Sequence, residues 1–139
     1  PYIDFLVSPM SYGGRLPGGY SDCHGPISSV RLHDKLWIAE SDQRTHLSSK
    51  PNNAPKIANT LDETIAVLKR DFMWALTNGY GIWWYDDAGE GWFKDAQILD
   101  LFSRMREIAN ASLKLPRQGN TEVAVFIDEL SIGHQEVYA

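Results

Sequence analysis

The sequence lacks the features that define several common protein classes. Cys23 is the single cysteine, so no disulfide can form within the chain and a cysteine-rich structural zinc site is excluded. No apolar run reaches the roughly 18 residues that a membrane-spanning helix needs. A basic excess is also missing, because 13 Lys and Arg face 18 Asp and Glu. This charge balance disfavours nucleic acid and anionic membranes as partners.

The length of the chain limits its architecture. Its 139 residues suit one domain, and a hydrophobic share of 43% is ordinary for a globular protein. A complete (β/α)8 barrel needs roughly 200 residues or more, so the chain cannot form one alone. It begins at Pro1 without the segments of a signal peptide, and we interpret it as a piece of a longer protein. The cellular compartment stays open.

Strand and helix signals alternate along the chain, which predicts an α/β fold of parallel βαβ units. In parallel sheets, ligand sites gather at the carboxyl ends of the strands. Apolar runs predict strands over residues 2–7, 35–41, 80–85 and 122–128, and helices over residues 26–33, 61–78 and from 96 onward.

Two long helices carry the clearest signals. Thr60 and Glu63 form a capping box, Gly79 stands at the following C-terminal cap, and Asp95 is the N-cap of the second helix. The stripes predicted to face the core are Leu61, Ile65, Leu68, Phe72 and Leu76 in the first helix, and Ile98, Leu101, Phe102, Met105 and Ile108 in the second.

Glu40 is the first candidate for chemistry, because it ends a predicted strand. By the two-residue strand period it shares a face with Leu36 and Ile38, where a carboxylate is unfavourable unless it is paired or used. We interpret Glu40 as a nucleophile or general base at the rim of a sheet. The structural alternative is an ion pair with Arg44 or a helix lysine.

A second acidic segment, with Asp86, Asp87 and Glu90, follows the next predicted strand. If the two strands pair directly, they lie about 4.8 Å apart. Carboxyl groups about 5 Å apart suit a retaining glycosidase, and about 6.5–9.5 Å suits an inverting one. The alternative is a loop whose acids serve turns and caps.

Aromatic side chains accompany these acids, as sugar sites require, because sugar C–H faces stack on rings. Trp37 and Trp74 lie within apolar patterns and are expected in the core, whereas Trp92, beside Gly91, is expected to be exposed. The aromatic residues in or beside the predicted strand-end loops are Tyr12, Trp83, Trp84, Tyr85, Trp92 and Phe93.

Other chemistries have little support. The four histidines have no metal-ligand spacing, so neither a metal nor a cofactor is expected. No serine of the chain stands in a G-x-S-x-G context, and the glycines form no dinucleotide or P-loop motif.

Residues 35–47 (Lys-Leu-Trp-Ile-Ala-Glu-Ser-Asp-Gln-Arg-Thr-His-Leu) resemble the seventh strand and following loop of beta-galactosidase-like glycoside hydrolases of the family 42 type, whose catalytic domain is a retaining (β/α)8 barrel. Residues 8–12 with Arg15 resemble the end of strand six, and residues 81–86 resemble strand eight. The resemblance implies a partial barrel of strands six to eight over residues 1–115. Residues 116–139 would be a linker and the first strand of a following α/β domain.

The resemblance also implies roles for individual residues. Glu40 would be the nucleophile, Tyr12 would contact its carboxylate, and Trp83 or Trp84 would form the floor of the sugar site. Arg15 and Trp92 join the substrate-binding candidates, and the loop beyond the nucleophile would be shaped by Asp42, Arg44 and His46.

The general acid/base of that family lies at the end of strand four, which this chain does not contain. Another chain could supply it, Asp86, Asp87 or Glu90 could replace it, or the isolated chain could be inactive. We therefore expect a retaining β-glycosidase or a catalytic-barrel piece of one. A non-catalytic carbohydrate-binding or structural fragment is the alternative, and an unrelated small doubly wound α/β domain is a second. Open sheet edges also predict a homo-oligomer or a complementing chain.

Overall fold

The computed structural model describes residues 2–49, 58–87, 89–116, 122–126 and 128. Three strands form one parallel sheet in the order β1-β2-β3, with helices between and after them. This confirms the α/β class and the direct pairing of the two strands that lead to the acidic segments. The elements are β1 (Phe5–Pro9), α1 (Ile27–Leu32), β2 (Leu36–Ser41), α2 (Leu61–Asn78), β3 (Gly81–Trp84) and α3 (Ala96–Ser112).

The predicted fourth strand is the main error in the secondary structure. Residues 122–126 and 128 are not in a strand, and the side chains of Val123, Val125 and Phe126 are exposed. A strand needs a hydrogen-bonding neighbour, and none of the three strands of the described sheet lies beside this segment. Residue 127 and most of the linker before the segment lie outside the described residues. The first strand also begins later than predicted, at Phe5 rather than residue 2.

Helix α2 has the predicted bounds, and its ends show why. The Thr60 hydroxyl accepts a hydrogen bond from the Glu63 N–H at 3.2 Å, as in a capping box. The Glu63 carboxylate instead accepts the N–H of Asn59, at 2.6 Å, so the reciprocal bond lies one residue earlier than predicted. Gly79 ends the helix with a φ of 72°, a left-handed conformation that favours glycine.

Two hydrophobic clusters share helix α2. One joins Ala75 of α2 to Trp37 and Ala39 of β2. The other joins Leu68 and Phe72 to α3. The prediction for Trp37 is confirmed, but Trp74 is 38% exposed and belongs to neither cluster. The predicted stripe of α3 is wrong at one position, because Ile108 is exposed and Ala109 packs in its place.

The sheet has one covered face and one uncovered face. Trp37, Ala39 and Ser41 of β2 are buried against the helices. The alternate residues form what we call the open face, which parallel sheets rarely leave uncovered. Its apolar members, aligned by the strand register, are Phe5, Val7, Leu36, Ile38 and Trp83. Phe5 is 54% exposed and Trp83 48% exposed.

The close approach of Gly25 to Trp37 gives a test of the covered face. A Cβ at Gly25 would stand 2.0 Å from the indole ring, so the ring would have to move. We expect Gly25→Ala to lower the free energy of unfolding by about 1–3 kcal/mol, the usual range for overpacking. Urea unfolding followed by circular dichroism measures this difference.

Gly13 provides the matched control, because a Cβ there meets only the Ser11 hydroxyl at 3.6 Å. Gly13→Ala should change the stability by no more than about 0.5 kcal/mol. Equal stabilities for the two variants would contradict the tight packing between Gly25 and Trp37.

Candidate active site

Glu40 lies at the carboxyl end of the central strand, on the open face. It stands directly opposite Pro9 of β1 and Trp83 of β3, and it is half-buried. Its carboxylate makes no hydrogen bond or ion pair with any residue that the structure describes. The alternative of an ion pair with Arg44 is not observed, since the Arg44 guanidinium lies 5.7 Å from the centre of the Trp92 ring. Glu40 is therefore a carboxylate without a structural partner among the described residues.

Tyr85 lies close enough to Glu40, Asp42 and Asp87 for their charges to affect its pKa. Its ring lies 5.0 Å from that of Trp83, which places both aromatic rings beside the carboxyl end of β2. The negative charge of Asp87 raises the pKa of the Tyr85 phenol, and the charges of Glu40 and Asp42 add to this effect. We call these residues, Glu40, Asp42, Trp83, Tyr85 and Asp87, the acidic rim.

Asp42 is held by two residues from the loop after β1. Its carboxylate lies 2.7 Å from the Arg15 guanidinium and accepts a hydrogen bond from the Tyr12 hydroxyl at 3.4 Å. The Arg15 guanidinium also stacks over the Tyr12 ring, 3.9 Å from its centre. The resemblance predicts a contact between Tyr12 and Glu40, and the structure instead directs the tyrosine hydroxyl to Asp42. Tyr12 and Arg15 thus contact Asp42 at the acidic rim, and their role in binding substrate stays a prediction.

The rest of the loop beyond Glu40 is fixed by contacts within the fold. The His46 ring lies 3.0 Å from the Thr64 hydroxyl of α2, and the backbone N–H of His46 donates to the same oxygen. The Thr45 hydroxyl donates to the carbonyl oxygen of Trp92. His46 thus braces the loop beyond Glu40 through its contacts with Thr64. The Arg44 guanidinium lies over the Trp92 ring.

In the acidic segment after β3, Asp86 stabilises the turn that the segment itself forms. The Asp86 carboxylate accepts hydrogen bonds from the backbone N–H groups of Glu90, Gly91 and Trp92, the shortest at 2.7 Å. Hydrogen bonds from Ser49 and from the Trp92 indole lower the pKa of Glu90. Asp87 is exposed and belongs to the acidic rim.

Trp92 and Trp84 face the interior. The prediction that Trp92 is exposed is wrong, because it is only 3% exposed; its indole donates to Glu90 at 2.9 Å while its ring is enclosed. Trp84 stacks on Phe102 with the ring centres 4.8 Å apart. Of the two strand-eight candidates, Trp83 alone shares the face of Glu40.

A concave feature of the described structure lies away from the acidic rim. A groove of about 660 Å³ runs between α2, β3 and α3, on the covered side of the sheet. Its walls are mainly apolar and include Phe72, Leu76, Ile82, Phe102 and Met105. None of the acidic rim residues lines this groove, so it offers no carboxylate for chemistry.

Other kinds of site are absent from the described part of the chain. No three His, Cys, Asp or Glu side chains there are grouped closely enough to hold a metal ion. No helix among those residues is both long and apolar enough to cross a membrane. Comparisons of the chain with protein-family models, curated proteins and solved structures found no match.

The Arg70–Asp71 ion pair and the position of Tyr85 beside Trp83 were not predicted from the sequence. Asp71 is fully buried, and burial raises its pKa while the charge of Arg70 acts in the opposite direction. A signal existed, because Asp71 is placed four residues from both Val67 and Ala75 on a buried face of α2. A charged residue at such a position needs a partner.

The contacts of Asp86 predict a large effect of its removal. Asp86→Ala leaves three backbone N–H groups without their acceptor, and we expect the free energy of unfolding to fall by about 2 kcal/mol. Asp87→Ala is the matched control at the neighbouring exposed position and should change stability by no more than about 0.5 kcal/mol. Urea denaturation compares the two, and equal losses would contradict a structural role confined to Asp86.

Proposed function

We propose that this chain carries the nucleophile side of a retaining β-glycosidase site of the beta-galactosidase-like type. One observation supports this most strongly: the Glu40 carboxylate is half-buried, has no hydrogen-bonding or ionic partner among the described residues, and stands opposite Trp83, whose ring lies beside that of Tyr85. A carboxylate that stabilises the fold would be paired. One that attacks a substrate must be available.

In the proposed reaction, a Glu40 oxygen attacks the anomeric carbon of a β-glycoside. The bond from that carbon to the leaving group breaks, the leaving group takes the electron pair, and a glycosyl ester of Glu40 forms. Water then hydrolyses the ester. The exposed face of Trp83 would stack on the sugar ring, and Asp42, held by Arg15, would accept hydrogen bonds from sugar hydroxyls.

Protonation of the leaving group is the step with the weakest support in this chain. Asp86 is occupied by three backbone N–H groups, and the lowered pKa of Glu90 favours its charged form over the protonated form that an acid needs. Asp87 is the remaining candidate within the chain, and a residue of another polypeptide is the other source. General acid catalysis contributes about 10²–10⁴-fold, so poor leaving groups should react slowly with the isolated chain.

A mechanism-based label separates nucleophile chemistry from acid chemistry. A fluorinated glycosyl donor with a dinitrophenolate leaving group needs no proton from the enzyme, and its glycosyl-enzyme accumulates. We expect one sugar on Glu40, located by peptide mass mapping, and no label in Glu40→Gln. Glu107→Gln, at an exposed position of α3, is the control and should label like the natural chain.

The result decides between catalysis and binding. A folded chain that takes no label, or takes it on a residue other than Glu40, would contradict the proposed nucleophile. Of the three candidate acids, only Asp87 remains for proton transfer, so non-catalytic carbohydrate binding is the second candidate function. Unchanged sugar affinity in Glu40→Gln, with no labelling of the natural chain, would favour it.

We further propose that, in solution, a second copy of the chain covers the apolar part of the open face formed by Phe5, Val7, Leu36 and Ile38, and leaves Glu40 and Trp83 accessible. Phe5, Val7 and Leu36 each leave between 43% and 54% of their surface exposed on this face. Contiguous exposed apolar side chains of this kind mark protein–protein contacts. Both sheet edges also carry unpaired backbone groups, which favour association.

Val7 tests the self-association, because it lies on the open face at the edge strand. Light scattering after size-exclusion chromatography should give a dimer or larger species for the natural chain, and Val7→Lys should shift it toward the monomer. Leu32→Lys, at an exposed position of α1, is the matched control and should leave the assembly intact. A single species of 15.7 kDa for the natural chain at micromolar concentration would overturn the proposal.

A further inference from the structure

The loop between β1 and α1, residues 11–22, carries Tyr12 and Arg15 to the acidic rim, and we call it the Tyr12 loop. Its ends are joined by a hydrogen bond from the Ser11 N–H to the Asp22 carbonyl, at 2.7 Å. Its middle closes tightly, since a Cβ at Gly19 would stand 2.2 Å from the Gly14 carbonyl oxygen. The backbone of this loop turns several carbonyl oxygens toward one point.

A single side chain from another element occupies that point. The Arg70 guanidinium of α2 donates to four carbonyl oxygens of the Tyr12 loop, at 2.9 Å for the shortest. The four acceptors belong to Gly14, Arg15, Leu16 and Gly19. Four converging acceptors match the fork of donors that only arginine offers. These four bonds link the Tyr12 loop to α2.

The Arg70 guanidinium is also held by the carboxylate of Asp71, the next residue of α2. Its Nε and Nη2 atoms donate to Asp71, at 2.9 and 2.8 Å, and the Asp71 side chain is fully buried. The other carboxylate oxygen of Asp71 accepts the hydroxyl of Ser41 at 3.4 Å. Ser41 follows Glu40 directly in the chain. One buried network thus connects the Tyr12 loop to the strand end that carries Glu40.

We propose that Arg70 is a positioning residue, which holds the Tyr12 loop so that Tyr12 and Arg15 reach Asp42 beside Glu40. Its contacts are all with the protein, so it would act on a sugar only through the loop. The part of this inference that concerns sugar rests on the proposed function. The part that concerns the loop does not.

Hydrogen exchange of peptides covering residues 11–22 measures the loop directly, and trypsin cleavage after Arg15 gives a second readout. Arg70→Lys keeps the charge beside Asp71 but loses the fork of donors. We expect both rates to rise at least about tenfold in the Tyr12 loop while exchange in α3 stays unchanged. Lys69→Met, on the exposed side of the same helix, should match the natural chain.

A double variant tests the same loop in a chain that should still fold. Arg70→Met with Asp71→Leu removes the ion pair as a unit and leaves no unpaired buried charge, so the fold should persist. We expect the Tyr12 loop to exchange as fast as in Arg70→Lys, and the rate of labelling at Glu40 to fall about tenfold or more at unchanged circular dichroism.

The outcomes separate the two proposals. A loop that stays fully protected in both variants overturns the positioning role of Arg70, whatever the sugar chemistry. A loosened loop with an unlabelled natural chain supports the positioning role and contradicts the glycosidase. A loosened loop with an undiminished labelling rate would show that the Tyr12 loop does not serve Glu40, and would overturn the functional part of the inference.

Discussion

Parallel pairing of β2 with both of its neighbours is the constraint on which the rest of the structure depends. Because β1, β2 and β3 run in one direction, their carboxyl ends meet at one edge, and the loops that follow them are brought together there. The two-residue period of β2 then assigns each side chain to a face: Trp37 and Ala39 pack under the helices, and Glu40 emerges on the open face. The position of the candidate nucleophile is thus a consequence of strand direction and parity.

Around Glu40, the polar residues divide into those that stabilise the fold and those that remain available. Asp86 organises the turn after β3, His46 braces the loop after β2, and Arg70 with Asp71 connects helix α2 to the Tyr12 loop. Each of these side chains has partners that account for its presence. Glu40 has no hydrogen-bonding or ionic partner within the described residues, and the proposed sugar site would account for its position beside the exposed ring of Trp83.

The sequence predicted what depends on local pattern and failed where distant contacts decide. Helix α2 was predicted to the residue, because Thr60 and Gly79 are local signals that need no knowledge of the fold. The face of Glu40 followed from alternation alone. Trp92 was expected to be exposed, and only the three-dimensional position of the Asp86 turn and of Thr45 encloses it. The apolar pattern of residues 122–126 resembles a strand, but a strand also needs an adjacent edge, which no local pattern specifies. The hydrogen bonds between Arg70 and the Tyr12 loop join residues more than fifty positions apart, so no local pattern predicts them. The only sign of them in the sequence is an aspartate, Asp71, at a buried position of α2.

The most direct test of a sugar site at the acidic rim is a nuclear magnetic resonance titration of the chain with a β-galactoside. The five tryptophan indole signals serve as internal probes, since Trp83 faces the rim while Trp37, Trp84 and Trp92 face the interior. If the rim binds sugar, the Trp83 signal and the side-chain carboxyl carbon of Glu40 should shift in a saturable way, with Trp37 unchanged. Absence of any shift at saturating millimolar sugar, or shifts confined to residues of the groove between α2 and α3, would contradict a carbohydrate site at Glu40.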